Sequence, residues 1–173
     1  MNLPNIITLT RLFSVPVLVW LILTDRFYAA FWLFMAAGIS DALDGFIAKH
    51  WKQSSILGTY LDPLADKALL MGVYITLGAT DQVPIWLVIL VVFRDVMIIG
   101  GVLLLHVCKT EVKLRTLMVS KLNTALQIFL ITLVLAELAF NFGLGEMKQG
   151  AIYFTAIFTF LSGGAYISSL FRD

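Results

Sequence analysis

The sequence predicts an all-α integral membrane protein in which six transmembrane helices form one bundle. Of its 173 residues, 60% are hydrophobic and 13% carry a formal charge, whereas a soluble domain has about half apolar and a quarter charged residues. The mean hydropathy of +0.94 also excludes a disordered chain. The apolar residues fall into six long runs with short connections, which is the pattern of a helical membrane protein.

Each run has the length of a membrane span, since about 20 helical residues cross the hydrocarbon layer. The first is interpreted as a retained span and not as a cleavable signal peptide, because Arg11 lies within it and no basic residue precedes it. Connections of about 4 to 11 residues leave no room for a soluble domain, so we expect residues 1–173 to form a single domain. In chain order, the predicted spans are residues 5–23, 28–48, 60–79, 84–106, 117–140 and 150–170.

The basic residues of the connections predict the orientation. Six spans place both termini on one side, together with the second and fourth connections. That side holds Lys49, Lys52, Lys109, Lys113, Arg115 and Arg172, whereas the other side holds Arg26 and Lys148. Because positive residues stay in the cytoplasm, we expect both termini to be cytoplasmic in the cell (inner) membrane. The net charge of +1 gives no reason to expect a nucleic-acid partner.

Charged residues inside the spans or at their ends are the candidates for function. A charge at bilayer depth is costly unless it is paired, hydrated or bound to a metal. The first five spans each carry at least one, and the sixth carries none. In chain order they are Arg11; Asp41 and Asp44; Asp62, Asp66 and Lys67; Arg94 and Asp95; Lys121 and Glu137.

Four aspartates form two pairs on consecutive spans. Asp41 and Asp44 are three residues apart, and Asp62 and Asp66 are four apart, so each pair shares one helical face. The connection between the two spans is predicted to be cytoplasmic, so the four carboxylates are expected to converge there. Oxygen ligands without a cysteine favour Mg²⁺, Mn²⁺ or Ca²⁺ over zinc. Four carboxylates suit two such ions, an arrangement used in phosphoryl transfer.

The basic residues near this cluster have two interpretations. In the first, they hold an anionic head group beside the metals. In the second, they neutralise the carboxylates. These basic residues are Arg11, Arg94 and Lys121. A separate interpretation is that the aspartates are structural, and that they cap helix ends or pair with Lys49, Lys67 and Arg11.

Small residues between the aspartates would allow a nucleotide diphosphate to approach the backbone closely. With them, the motif resembles the signature of the CDP-alcohol phosphotransferase family. Lys49 departs from it, because the family usually has arginine there, and lysine lacks the planar fork that grips phosphate. The motif reads Asp41-x-x-Asp44-Gly45-x-x-Ala48-Lys49, then Gly58, Asp62 and Asp66.

The resemblance extends over nearly the whole chain. The segment Leu3-Pro4-Asn5-Ile6, with Thr8 and Arg11, looks like the family's amino terminus, which implies that Asn5 and Thr8 contact substrate. Three later blocks resemble the CMP-forming cardiolipin synthase branch. The sister branch, phosphatidylglycerophosphate synthase, has Arg-Glu at Arg94-Asp95 and Gly-Lys at Ser120-Lys121. The three blocks are residues 61–67, Arg94-Asp95-Val96 with Gly101, and residues 120–125.

The resemblance implies transfer of the phosphatidyl group from CDP-diacylglycerol to phosphatidylglycerol, which gives cardiolipin and CMP. It implies two divalent cations, Mg²⁺ or Mn²⁺, bound by Asp41, Asp44, Asp62 and Asp66, with Asp66 also the general base. The cytidine and diphosphate would lie against Gly45, Ala48, Lys49 and Gly58. Family members are commonly homodimers, and we expect the same here.

Other functions are also compatible with acids near a membrane. In the sister branch the acceptor is glycerol 3-phosphate. A cation transporter would place its charges near the midplane with a path to both faces, whereas these aspartates cluster at one mouth. Intramembrane aspartyl proteolysis needs two aspartates, and the Asp/Gly spacing fits it poorly.

Overall fold

The protein is all-helical over the residues that its structure describes. The structure is a computed structural model that describes the backbone of residues 3–51, 56–107 and 118–170, and the side chains of residues 10–40, 65–101, 118–166 and 168. These ranges contain six α-helices and no β-strand. Each helix overlaps one of the six predicted runs, so the all-helical prediction is confirmed. The helices are α1 (Leu3–Leu23), α2 (Phe27–Trp51), α3 (Ile56–Ala79), α4 (Ile85–Val107), α5 (Met118–Phe140) and α6 (Gly145–Leu170).

Two helices begin about four or five residues earlier than the apolar runs do. The helix α3 starts at Ile56 and not at residue 60, and α6 starts at Gly145 and not at residue 150. At the start of α6, the Lys148 N–H donates to the Leu144 carbonyl at 2.8 Å. Glu146 in the first turn also suits the positive end of the helix dipole. Polar residues therefore extend this helix beyond its apolar part.

Apolar surface indicates membrane association. Among the described residues, one helix, Met118–Phe140, is long and apolar enough to cross a membrane, and two shorter apolar helical stretches are Thr10–Leu23 and Phe27–Ser40. Phe13, Phe93 and Phe160 are 70%, 65% and 72% exposed, which is unusual for side chains in contact with water. The six-span arrangement stays a prediction.

The helices pack as two compact units, so the single bundle also stays a prediction. The first unit combines Met1–Gln82 with Ile131–Gly143, and the second combines Val83–Leu130 with Leu144–Asp173. The helix α5 therefore contributes its first part to the second unit and its second part to the first.

In the first unit, α1 packs against both α2 and α3. Leu18, Ile22 and Val73 are fully buried in this core. The helices α1 and α3 approach closely at Gly72, where an added Cβ would lie 3.0 Å from Val15 Cγ1. This close packing brings the polar residues of α1 and α3 together nearer the helix starts.

Both α1 and α3 end in a left-handed residue. Asp25 has φ 56° and Asp81 has φ 57°. The N–H of the following residue returns to the Leu21 carbonyl in α1 and to the Leu77 carbonyl in α3, each at 2.9 Å. This is the Schellman arrangement, which satisfies carbonyls at a helix end.

Aromatic rings cluster at one end of the first unit. The Phe140 ring, at the end of α5, lies 5.6 Å from Tyr28 and 5.4 Å from Phe31, both at the start of α2. Phe142 stacks on Phe140 at 5.6 Å. Tyr and Trp are enriched where membrane proteins cross the lipid–water interface, and Trp32 packs on Tyr28 here.

In the second unit, α4 packs against α6. Val91 and Ile152 are buried in its core. Gly101 of α4 faces Tyr166 of α6, and an added Cβ at Gly101 would lie 2.5 Å from the Tyr166 hydroxyl oxygen. A side chain at this position would therefore require the Tyr166 ring to shift.

Candidate functional site

The helices α1 and α3 place one buried arginine against one of the four predicted metal-binding aspartates. Arg11 Nη1 donates a hydrogen bond to Asp66 Oδ1, and the two side chains form a salt bridge. The Arg11 side chain is 4% exposed and the Asp66 side chain is 38% exposed. The arginine is thus enclosed, whereas the carboxylate keeps a surface beside the ion pair.

The sequence allows two interpretations of Arg11. This contact corresponds to one of them, the neutralisation of an aspartate. The Asp66 side chain stays partly exposed beside this contact. A hydrogen bond between two charged groups is stronger than one between neutral groups.

The remaining predicted ligands fall on described helices, but their side chains lie outside the described residues. Asp41 and Asp44 are in α2, and Asp62 is in α3. The same applies to the residues predicted to contact substrate, which are Asn5 and Thr8 in α1, Gly45, Ala48 and Lys49 in α2, and Gly58 in α3.

The metal site therefore stays a prediction. Among the side chains that the structure describes, no three His, Cys, Asp or Glu residues form a group that could hold a metal. Of the four aspartates, this range includes Asp66. Its partly exposed carboxylate fits the hard oxygen ligands that Mg²⁺ and Mn²⁺ take.

The second unit contains a buried polar cluster around Arg94 of α4. Arg94 Nη1 donates to Asp95 Oδ1 at 2.5 Å, and Arg94 Nη2 donates to Ser120 Oγ in α5 and to Ser162 Oγ in α6, both at 2.6 Å. Arg94 Nε also donates to Ser162, at 3.2 Å. Arg94, Asp95 and Ser162 are at most 3% exposed. One guanidinium therefore connects three helices.

Further polar groups continue from this cluster along α5 and α6. The Thr159 hydroxyl donates to Asn123 Oδ1 at 2.9 Å, and both residues are buried. Gln127 and Thr155 are buried as well. Side-chain hydrogen bonds of this kind hold helices together in a membrane, where apolar contact alone gives little preference for protein over lipid.

The sequence identified part of this cluster. Arg94 was predicted from its depth in the fourth run, and Asp95 was noted as a charge without a role. A buried arginine needs a partner, so the adjacent Asp95 was open to inference. Ser162 gave no signal, because a serine in an apolar helix has no distinguishing pattern. Lys121, which follows Ser120, is exposed.

Comparison with known proteins links the sequence to one family. The model of the CDP-alcohol phosphatidyltransferase family matches residues 1–161. The chain is 36% identical to a human protein named cardiolipin synthase (CMP-forming), over 95% of this chain and 60% of that protein. A rat protein of the same name is 38% identical over 82% of this chain and 52% of its own length.

A bacterial relative carries a different name. The Bacillus subtilis CDP-diacylglycerol–glycerol-3-phosphate 3-phosphatidyltransferase is 30% identical over 96% of this chain and 94% of its own length. The chain thus spans nearly all of this relative, but only about half to three fifths of the two mammalian relatives.

Proposed function

Because the chain belongs to the CDP-alcohol phosphatidyltransferase family, we propose that it transfers the phosphatidyl group of CDP-diacylglycerol to phosphatidylglycerol, with cardiolipin and CMP as products. The observation that carries this proposal is the 36% identity to the human cardiolipin synthase over 95% of the chain. The motif from Asp41 to Asp66 supports the same reaction class.

In the proposed mechanism, Asp66 is the general base. Its carboxylate takes the proton from the acceptor hydroxyl as the hydroxyl oxygen attacks the phosphatidyl phosphorus. The bond between that phosphorus and the CMP oxygen breaks, and CMP leaves with the electron pair. Arg11 holds the Asp66 carboxylate in orientation through their ion pair, so the base is positioned before the acceptor arrives.

Bound Mg²⁺ or Mn²⁺ would neutralise the diphosphate and stabilise the charge on departing CMP. We propose that Asp41, Asp44, Asp62 and Asp66 hold two such ions. Gly45, Ala48, Lys49 and Gly58 would line the cytidine and diphosphate site. Arg94 and Lys121 would serve the anionic group of the acceptor, with Asn5 and Thr8 near the same substrates.

The proposal includes a location. Six spans would place both termini and the site at the cytoplasmic face of the cell membrane, where the lipid tails of both substrates remain in the bilayer. A homodimer is the proposed assembly. The apolar helix Met118–Phe140 and the exposed aromatic side chains support membrane association.

The second candidate function is phosphatidylglycerophosphate synthesis with glycerol 3-phosphate as acceptor. The near full-length match to the Bacillus subtilis relative favours it. The two candidates share the donor, the metals and the base, and they differ only in the acceptor.

A parallel acceptor assay distinguishes the two. Purified protein in phospholipid vesicles receives CDP-diacylglycerol with Mg²⁺ or Mn²⁺, and then phosphatidylglycerol or glycerol 3-phosphate. The lipid product is identified by mass spectrometry. We expect cardiolipin and CMP in the first reaction. Phosphatidylglycerophosphate in the second reaction alone would replace the first candidate, and no CMP with either acceptor would refute both.

A further inference from the structure

The hydrogen bonds of Arg94 occupy both edges through which a guanidinium can grip a phosphate. Nε and Nη2 form one edge, and both donate to Ser162 Oγ. Nη1 and Nη2 form the other, which is divided between Asp95 Oδ1 and Ser120 Oγ. A two-pronged contact with phosphate oxygens would therefore have to displace groups of the protein itself.

The partners of Arg94 differ in exposure. Asp95 and Ser162 are each 2% exposed, whereas Ser120 is only half-buried. Displacement of Asp95 would also break a buried ion pair, which is strongly unfavourable. An anionic ligand at Arg94 would therefore replace the Ser120 hydroxyl, and it would meet one Nη2 N–H of the guanidinium.

The charge of the cluster limits which anion it suits. Asp95 balances the charge of Arg94 within the buried pair. The basic residue that follows Ser120 along α5 is Lys121, which is exposed and supplies one further positive charge. A phosphomonoester carries about −1.5 to −2 charges at pH 7. A phosphodiester carries one negative charge, and one cation balances it.

We propose that Asp95, Ser120 and Ser162 are specificity-determining residues that make this part of the site select a phosphodiester acceptor over a phosphomonoester. Together they hold Arg94 in one orientation, Asp95 balances its charge, and the Nη2 N–H that donates to Ser120 is the donor that a ligand can take over. Phosphatidylglycerol belongs to the selected class, and glycerol 3-phosphate to the rejected one. The inference rests on the proposed function, because it assigns the acceptor to Arg94. By the resemblance, the cardiolipin synthase and phosphatidylglycerophosphate synthase branches differ at two of these positions, Asp95 and Ser120.

Two variants test the assignment. Asp95→Asn keeps the shape and an oxygen acceptor for Arg94 but removes the negative charge. Ser120→Ala leaves the charge unchanged and frees one Nη2 N–H. The measurement is the ratio of kcat/KM for phosphatidylglycerol to kcat/KM for glycerol 3-phosphate. We expect the ratio to fall about tenfold in Asp95→Asn and about fivefold in Ser120→Ala.

Matched controls separate specificity from general damage. Asp81→Asn makes the same chemical change at an exposed helix end, and Ser168→Ala removes an exposed hydroxyl of α6. Both should keep the wild-type ratio. If Asp95→Asn does not fold, as judged by circular dichroism and gel filtration, Ser120→Ala decides, since alanine suits a helix.

The outcomes distinguish the two proposals. A wild-type protein that releases no CMP with either acceptor refutes the proposed function, and the specificity assignment with it. An active wild type whose ratio stays constant in the folded variants refutes the specificity assignment alone. A wild type that already favours glycerol 3-phosphate also overturns it.

Discussion

At the residue scale, the function of Asp66 can be separated from its role in the Arg11 ion pair. Asp66→Asn removes the proton acceptor but keeps an oxygen that can accept the Arg11 hydrogen bond. We expect turnover to fall by at least about 100-fold, whereas CDP-diacylglycerol binding changes little because most predicted ligands remain. Steady-state CMP release and equilibrium donor binding measure the two effects. Near-normal turnover would show that Asp66 is not the base, and Asp81→Asn is the matched control.

Arg11 provides the complementary test. Arg11→Gln leaves the partly exposed Asp66 without its cation, and we expect it to destabilise the protein by about 1–3 kcal/mol. Arg11→Lys keeps the charge without the planar fork and should lose less. Thermal unfolding in a mild detergent measures both variants. Equal loss in the two would mean that the positive charge alone contributes little, and that the hydrogen-bond geometry of the guanidinium carries the stability.

The sequence identifies both residues as candidates for function, but it does not show how they pair. Asp66 is identified as a candidate by the spacing of the motif, and Arg11 is identified by its depth in an apolar run. Two interpretations of Arg11 fit the sequence, because neither hydropathy nor spacing gives the distance between two helices. Packing of α1 on α3 brings Arg11 onto Asp66. The Arg94 cluster shows the same limit, since the serine on α6 that binds it has no sequence signal.

At the scale of the elements, two adjacent glycines of α4 should respond in opposite directions. Gly101→Ala would place a methyl group 2.5 Å from the Tyr166 oxygen, so the ring must move, and we expect a loss of about 1–3 kcal/mol. At Gly100 nothing lies within 4 Å. Gly100→Ala should therefore stabilise the helix by about 0.5–1 kcal/mol. Thermal unfolding of the two variants measures the difference, and a change of the same sign in both would contradict the described contact.

The end of α3 offers a second test of local conformation. Asp81 has φ 57°, a value that costs most L-residues roughly 1–2 kcal/mol. Asp81→Gly should raise the melting temperature modestly, whereas Asp81→Val, with a branched Cβ, should lower it. Both variants lose the same carboxylate, so their difference isolates the backbone. Identical melting temperatures would show that the left-handed turn is absent.

The six elements were predictable because apolar runs of about 20 residues are a strong signal. The ends of the helices were less predictable. The helix α6 extends to Gly145 because Glu146 and the Leu144 carbonyl suit a helix start, although the polar Glu146 adds nothing to hydropathy. Hydropathy locates the part of a helix that avoids water, whereas capping decides where the helix ends.

At the scale of the whole molecule, orientation follows from the distribution of the loop charges and can be tested with cysteine labelling. Cys108 lies in the fourth connection, which the basic residues predict to be cytoplasmic. Asp81 and Asn141 are exposed in connections predicted for the opposite side. In a Cys108→Ser background, Asp81→Cys and Asn141→Cys should react with a membrane-impermeant maleimide in intact cells. In the wild-type chain, Cys108 should react only after permeabilisation.

The physical reason for this expectation is that lysines and arginines of short loops resist translocation. Six spans also require that the two engineered positions behave alike, because an even number of helices separates residues 81 and 141. If one engineered cysteine is labelled in intact cells and the other is protected, α4 and α5 do not both cross the membrane. Protection of both, with Cys108 accessible from outside, would invert the orientation and move the Asp66 site to the outer face, away from a cytoplasmic supply of CDP-diacylglycerol.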